Sequence, residues 1–255
     1  MSDVAAAEFA ALLARSKDDP RVLGVILSGS RAREGATTAY SDYDVLLVVT
    51  DEADGLLSAE HRRDSRLDVS TMPLREFRTH ALPGFASEWN RYAFTQCKVI
   101  KDTGEGLIAA LIDEKARMSP AEVARRAPAV LDAFLNSLYR CLKNDRDGNA
   151  AAARLDGAEA VPHYLTYLFA LHNRVRPYNK YLAWELERYP LSQPEWAHER
   201  LVPRLIRAGS EDAARTVRSL FVELEPHARA AGHGPVIDEW GDDLELMRGT
   251  SSSRP

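Results

Sequence analysis

The period of the hydrophobic positions changes once along this chain. Up to about residue 116, short β-rich apolar runs alternate with helical stretches; beyond it, apolar residues recur only at helical spacing. Val4, Phe9, Leu12 and Leu13 share a face and predict an amphipathic helix over residues 4–16, ended by Asp18, Asp19 and Pro20. Val22–Leu27 is a continuous apolar run and predicts a buried strand. Residues 28–40 read as loop with a short helix from Ser30, and residues 42–50 as the next strand. The polar residues 51–64 are expected to cover a sheet edge. Residues 66–72 alternate, with Leu67 and Val69 on one face and Asp68 on the other. Pro73 suits the first turn of a short helix through His80. Residues 88–101 give no clean period until 97–101, which predict a fourth strand closed by Asp102, Thr103 and Gly104. Residues 105–115 return to helical spacing.

Ser119-Pro120-Ala121-Glu122 then opens a helix, with Ser as N-cap and Pro at the first position. Helices are expected over 119–144, 150–171, 178–188, 195–208, 210–231 and 235–247, with no strand among them. The chain therefore reads as α+β: a sheet-bearing domain over 1–116, an all-helical bundle over 117–248, and a flexible tail over 249–255.

The 255 residues, 45% hydrophobic and 28% charged, can bury a real core and exclude a disordered chain. The net charge is −5, and it is unevenly placed. Residues 1–116 carry 14 Lys and Arg against 19 Asp and Glu, and the remainder carries 19 of each. That balance speaks against extended duplex nucleic acid as a partner. Cys97 and Cys141 form no metal-type spacing and read as ordinary thiols of a reducing compartment. No run reaches the ~18 apolar residues of a membrane span, and the N-terminal residues lack the basic leader of a signal peptide. A cytoplasmic location is expected.

The chemistry concentrates between the first two strands, in VLGVILSGSRAREGATTAYSDYDVLLVV, residues 22–49. Gly29 lets the backbone approach a ligand closely. A helix opening at Ser30 would aim free N–H groups at the same point, which makes an anion site, and Arg31 and Arg33 stand close by. Asp42 and Asp44, two apart on a strand, would share a face, with Tyr43 turned into the core. Paired carboxylates repel unless a cation lies between them. Hard oxygen donors of this kind suit Mg²⁺ or Mn²⁺ held together with phosphates. Asp68, on the polar face of the third strand, could complete the set.

Gly29-Ser30, a spacer, then Asp42-x-Asp44 on a strand resembles the signature of the DNA polymerase β-like nucleotidyltransferase superfamily. GSRAREGATTAYSDYDVLLV is most similar to its antibiotic (aminoglycoside) nucleotidyltransferase branch, in which Ala32, Ser41, Asp42 and Asp44 match, while Gly35 is displaced by one residue and Val45 replaces Leu. The resemblance covers about residues 22–70 directly. It implies a mixed sheet flanked by helices, Mg²⁺ or Mn²⁺ as cofactor, and ATP or another nucleoside triphosphate as co-substrate. A nucleoside monophosphate, AMP foremost, would pass to the hydroxyl of a small molecule, an aminoglycoside-like antibiotic among the candidates, with release of pyrophosphate. Asp42, Asp44 and Asp68 would be the metal ligands and catalytic acids. Asp68 would act as ligand, as general base, or both. Gly29, Ser30, Arg31 and Ser41 would hold the phosphates.

In the helical half, Arg174, Arg176 and Lys180 lie among Tyr178, Asn179 and Tyr181. Relatives commonly send a basic side chain from a helical domain to the triphosphate, which makes Lys180 the candidate; a solvated basic face is the competing reading. Asp156 and Glu159 share a helix face at i, i+3. Glu159 is an alternative base, or a helix-start carboxylate without a catalytic role, and Glu88, beside Trp89, is a further option. Competing functions are nucleotidylation of RNA or protein, and a non-catalytic nucleotide-binding regulator or toxin–antitoxin component.

Overall fold

The computed structural model describes residues 2–55 and 60–250, so the tail expected from 249 onward lies outside them after residue 250. The chain divides into two compact units, Met1–Arg117 and Met118–Pro255.

The first unit is α+β. Helix α1 (Ser2–Asp18) leads into β1 (Val22–Ser28), the single-turn α2 (Gly29–Ala32) and β2 (Tyr43–Val49). β3 (Arg62–Arg63), β4 (Leu67–Pro73), α3 (Leu74–Thr79), β5 (Lys98–Asp102) and α4 (Leu107–Ala116) follow. The sheet has the order β3-β4-β2-β1-β5. Only β2 and β4 are parallel, so the sheet is mixed.

The pleat divides this sheet into two faces. On one, Leu27, Val45, Leu47, Leu67 and Val69 form a core with Leu12 of α1, and Phe9 stacks on Tyr43 with ring centres 4.2 Å apart. On the other, Ile26 and Val48 are covered by Phe77, Phe94, Ile108 and Ile112 from α3, α4 and the intervening 3₁₀ segment Glu88–Phe94. This second cover protects only part of its face. Asp44 and Asp68 lie on that face and are half-buried.

Two stretches of this unit go beyond the sequence reading. Residues 88–94 form 3₁₀ turns, which carry no 3.6-residue period. Within the polar segment 51–64, residues 62–63 form the edge strand itself, while residues 56–59 lie outside the described set.

The second unit is helical among its described residues: α5 (Pro120–Arg146), α6 (Ala150–Ala170), α7 (Leu182–Arg188), α8 (His198–Arg207), α9 (Ala213–Ala230), α10 (Gly234–Asp238) and α11 (Asp243–Arg248). Ser119 caps α5 by accepting the Glu122 N–H at 3.1 Å. The stretches expected as helices over 178–188 and 195–208 each open with a 3₁₀ turn, Asn179–Tyr181 and Pro194–Trp196. The expected helix 235–247 is two helices, because the chain turns at Gly241 with φ +51°. Inside α6, Gly157 lets the carbonyl oxygen of Ala208 pack against the helix; a Cβ there would lie 2.1 Å from that oxygen.

Candidate active site

The strand registers line up a row of side chains across four strands. Ser28 of β1 pairs with Asp44 of β2, Asp44 with Asp68 of β4, and Asp68 with Arg63 of β3. Directly opposed residues share a face, so a hydroxyl, two carboxylates and a guanidinium stand side by side. The row lies on the incompletely covered face. Above it is a cleft of about 230 Å³ whose walls include Ser28, Asp44, Asp68, Ser70, His80 and Asn90.

The turn after β1 fits itself to this row. Gly29 has φ +66°, a region costly to residues with a Cβ. A Cβ built there would lie 1.7 Å from Asp44 Oδ2, so the carboxylate occupies the space a side chain would need. The Ser30 side chain is buried, and its hydroxyl donates to Ser41 Oγ at 2.7 Å. Ser41 Oγ also accepts the Thr38 N–H at 2.9 Å. Arg31 donates to the Ser41 carbonyl at 2.8 and 3.1 Å and lies over the Tyr43 ring at 4.1 Å. Arg33 is 2% exposed and donates to the carbonyls of Gly29 at 2.8 Å and Tyr92 at 3.2 Å. Ser30, Ser41, Arg31 and Arg33 thus tie down the loop between β1 and β2. Asp42 stands one residue before β2 begins, so the pleat does not fix its direction as it does that of Asp44. It is half-buried and is not among the residues lining the cleft.

Asp68 lies 3.7 Å from Arg63 Nε, and that arginine side chain is 90% exposed. At the far wall, Asn90 Nδ2 and His80 Nε2 are 3.0 Å apart. Burial pushes the His80 imidazole below its ordinary pKa; Glu76 opposes this and Lys115 adds to it. Ser28 and Ser70 escaped the sequence reading, although Ser70 shares the parity of Asp68. His80 and Asn90 carried no local signal, because only the folding of residues 74–94 over the sheet brings them to the cleft.

Among the described residues, no three His, Cys, Asp or Glu side chains are gathered so that they alone could hold a metal ion. Two adjacent carboxylates are the donor set that Mg²⁺ accepts when phosphate oxygens and water complete its octahedron. The chemistry of Asp44 and Asp68 therefore fits a hard divalent cation that arrives with a phosphorylated ligand.

The remaining sequence candidates make contacts of their own. Glu88 accepts the Gly84 N–H at 2.8 Å and so closes its own loop. In the second unit, Arg140 bridges Asp156 at 3.2 Å and Glu159 at 2.8 Å. Both acids lie well inside α6, which starts at Ala150, so the helix-start reading is corrected. Lys180 is exposed, with Nζ 5.2 Å from the centre of the Tyr181 ring.

Residues 6–59 match the streptomycin adenylyltransferase family. A nucleotidyltransferase-like protein from Exiguobacterium sibiricum 255-15 is similar in structure at 14% identity, with a TM-score of 0.46 over 96% of this chain and 80% of that one. No curated protein matches.

Proposed function

We propose, taking the chain as an adenylyltransferase-like enzyme of the nucleotidyltransferase superfamily, that it transfers the nucleoside monophosphate of a triphosphate, ATP foremost, to the hydroxyl of a small molecule. The observation that carries this reading is the alignment of Asp44 with Asp68 on adjacent parallel strands, beside the left-handed turn at Gly29. The bond formed joins the acceptor oxygen to the α-phosphorus. The bond broken joins that phosphorus to the oxygen that departs with pyrophosphate. Asp44 and Asp68, with Asp42 just before the strand, would hold Mg²⁺ and the triphosphate. Bound there, Mg²⁺ supplies positive charge to the phosphate oxygens and the leaving group. The turn at Gly29 leaves room for the Asp44 carboxylate beside the backbone. Asp68 takes the proton of the attacking hydroxyl, a role that suits a half-exposed carboxylate at the cleft wall. The family's name makes streptomycin one acceptor to assay. The test is transfer of α-phosphate label from each nucleoside triphosphate, with Mg²⁺, to a panel of hydroxyl compounds. Asp44→Asn and Asp68→Asn should each abolish it. Undiminished transfer in Asp44→Asn would sink the proposed site.

A further inference from the structure

Asp68 is shared by two cavities. One is the cleft over Ser28 and Asp44. The other, about 410 Å³, opens around the outer edge of β4, where Asp68, Val69 and Ser70 meet His61, Arg62 and Arg63 of the edge segment. We propose that this outer cavity is the acceptor subsite, and that Arg63 selects a small hydroxyl compound carrying an anionic group, a phosphate or a carboxylate. The inference rests on the nucleotidyl-transfer reading and names the class of its acceptor.

The register carries the argument. Arg62 and Arg63 are neighbours on β3 and point to opposite faces. Arg62, although it also borders the cavity, is opposite Val69, and its charge is already taken by Glu8 at 2.7 Å and Asp64 at 2.5 Å. Arg63 is opposite Asp68, on the cleft face. Its contact with Asp68, at 3.7 Å, is too long for a hydrogen bond and is exposed to water, so an incoming ligand displaces it at little cost. The ring of His61 accepts the Thr71 N–H at Nε2, 3.2 Å away, which leaves Nδ1 as its donor. The Ser70 hydroxyl adds another donor on the same wall. Asp68 is the one carboxylate among the lining residues. A guanidinium with two flanking donors is the arrangement that binds phosphate or carboxylate in a forked geometry. A polycation such as streptomycin would meet Arg63 instead of an acidic wall. An acceptor anchored at Arg63 would bring its hydroxyl beside Asp68, the group assigned to take its proton.

Hexoses that differ only in one substituent (phosphate, carboxylate, amine or none) test this, alongside streptomycin and tRNA. Label transfer with Mg²⁺ and ATP should favour the phosphate- and carboxylate-bearing sugars. Arg63→Ala should raise their KM at least tenfold while changing kcat less than threefold, Arg63→Lys should recover part of the loss, and Arg63→Glu should shift preference to the amine. Preferred transfer to streptomycin, to the uncharged sugar or to tRNA, unaffected by Arg63→Ala, overturns the proposal. Calorimetric titration with the hexose phosphate reads the subsite without turnover. Binding should weaken at least tenfold in Arg63→Ala and stay unchanged in Arg21→Ala, whose site precedes the opposite end of β1. Equal binding by wild type and Arg63→Ala overturns the subsite. Arg63-dependent binding with no transfer to any compound supports the subsite and faults the assigned reaction.

Discussion

One sheet presents two faces built from alternate residues of the same strands, and they differ in what covers them. Toward α1, Leu27, Val45, Leu47, Leu67 and Val69 are at most 6% exposed and pack into one apolar core with the helix. On the opposite face, Ile26 and Val48 are equally buried, but Ser28, Asp44 and Asp68 line an open cleft. The strands spend the same backbone hydrogen bonds on both. What differs is parity: odd positions of β2 hold the sheet to its helix, and even positions carry charge where the cover stops. A one-residue register slip would exchange the two sets, burying carboxylates against α1. The apolar face therefore fixes the position of the acids on the other.

The largest effect that should separate the faces is on turnover. Asp44→Asn keeps shape and removes charge, so transfer should fall by at least about 10²-fold, the scale of losing one preorganised electrostatic partner, with the melting temperature nearly unchanged. An equal loss of both would mean that Asp44 is a packing residue. Gly29→Ala comes next, and it couples the faces. The left-handed backbone costs an alanine roughly 1–2 kcal/mol, and the new methyl group must drive the Asp44 carboxylate aside. Steady-state kinetics should show a loss of about tenfold or more in kcat/KM, accompanied by a measurable drop in denaturant midpoint.

Leu47→Ala works on the apolar face alone. Leu47 is 1% exposed, and truncation should cost about 2–4 kcal/mol in urea unfolding, while the folded fraction keeps its specific activity. Lys115 gives the smallest effect, under the other cover. It is fully buried over the Phe77 ring at 4.8 Å, and burial lowers its pKa to about 8. Between that value and the ordinary 10.5 the unfolded chain binds more protons, so stability should rise with pH across this window. Lys115→Met should flatten that rise in unfolding curves taken from pH 8 to 10.5 and leave Leu47→Ala's cost untouched; a rise that persists would place its source elsewhere.

Several elements were legible because their signals are local. The alternation of Leu67, Asp68 and Val69 assigned faces that the β4 register keeps. Ser119 announced the start of α5. Other signals were local but incomplete: a helical period continued past Gly241, where a left-handed turn ends α10 and starts the next helix. Arg33 read as a cation available to a phosphate, yet its charge is buried and satisfies two carbonyls. A residue's type does not say whether its head group meets water or a backbone oxygen.

The sequence by itself determined four of the five strands, their two-residue alternation, the glycine turn and the spacing of the carboxylates. These follow from backbone sterics and from the separation of apolar and polar positions, which neighbouring residues settle among themselves. Only the tertiary structure decided that Ser28, Asp44, Asp68 and Arg63 form one row, and that His80 and Asn90 wall the cleft above it. Strand order and register are set by which faces can be buried together across the whole sheet, and that is a property of distant residues in contact.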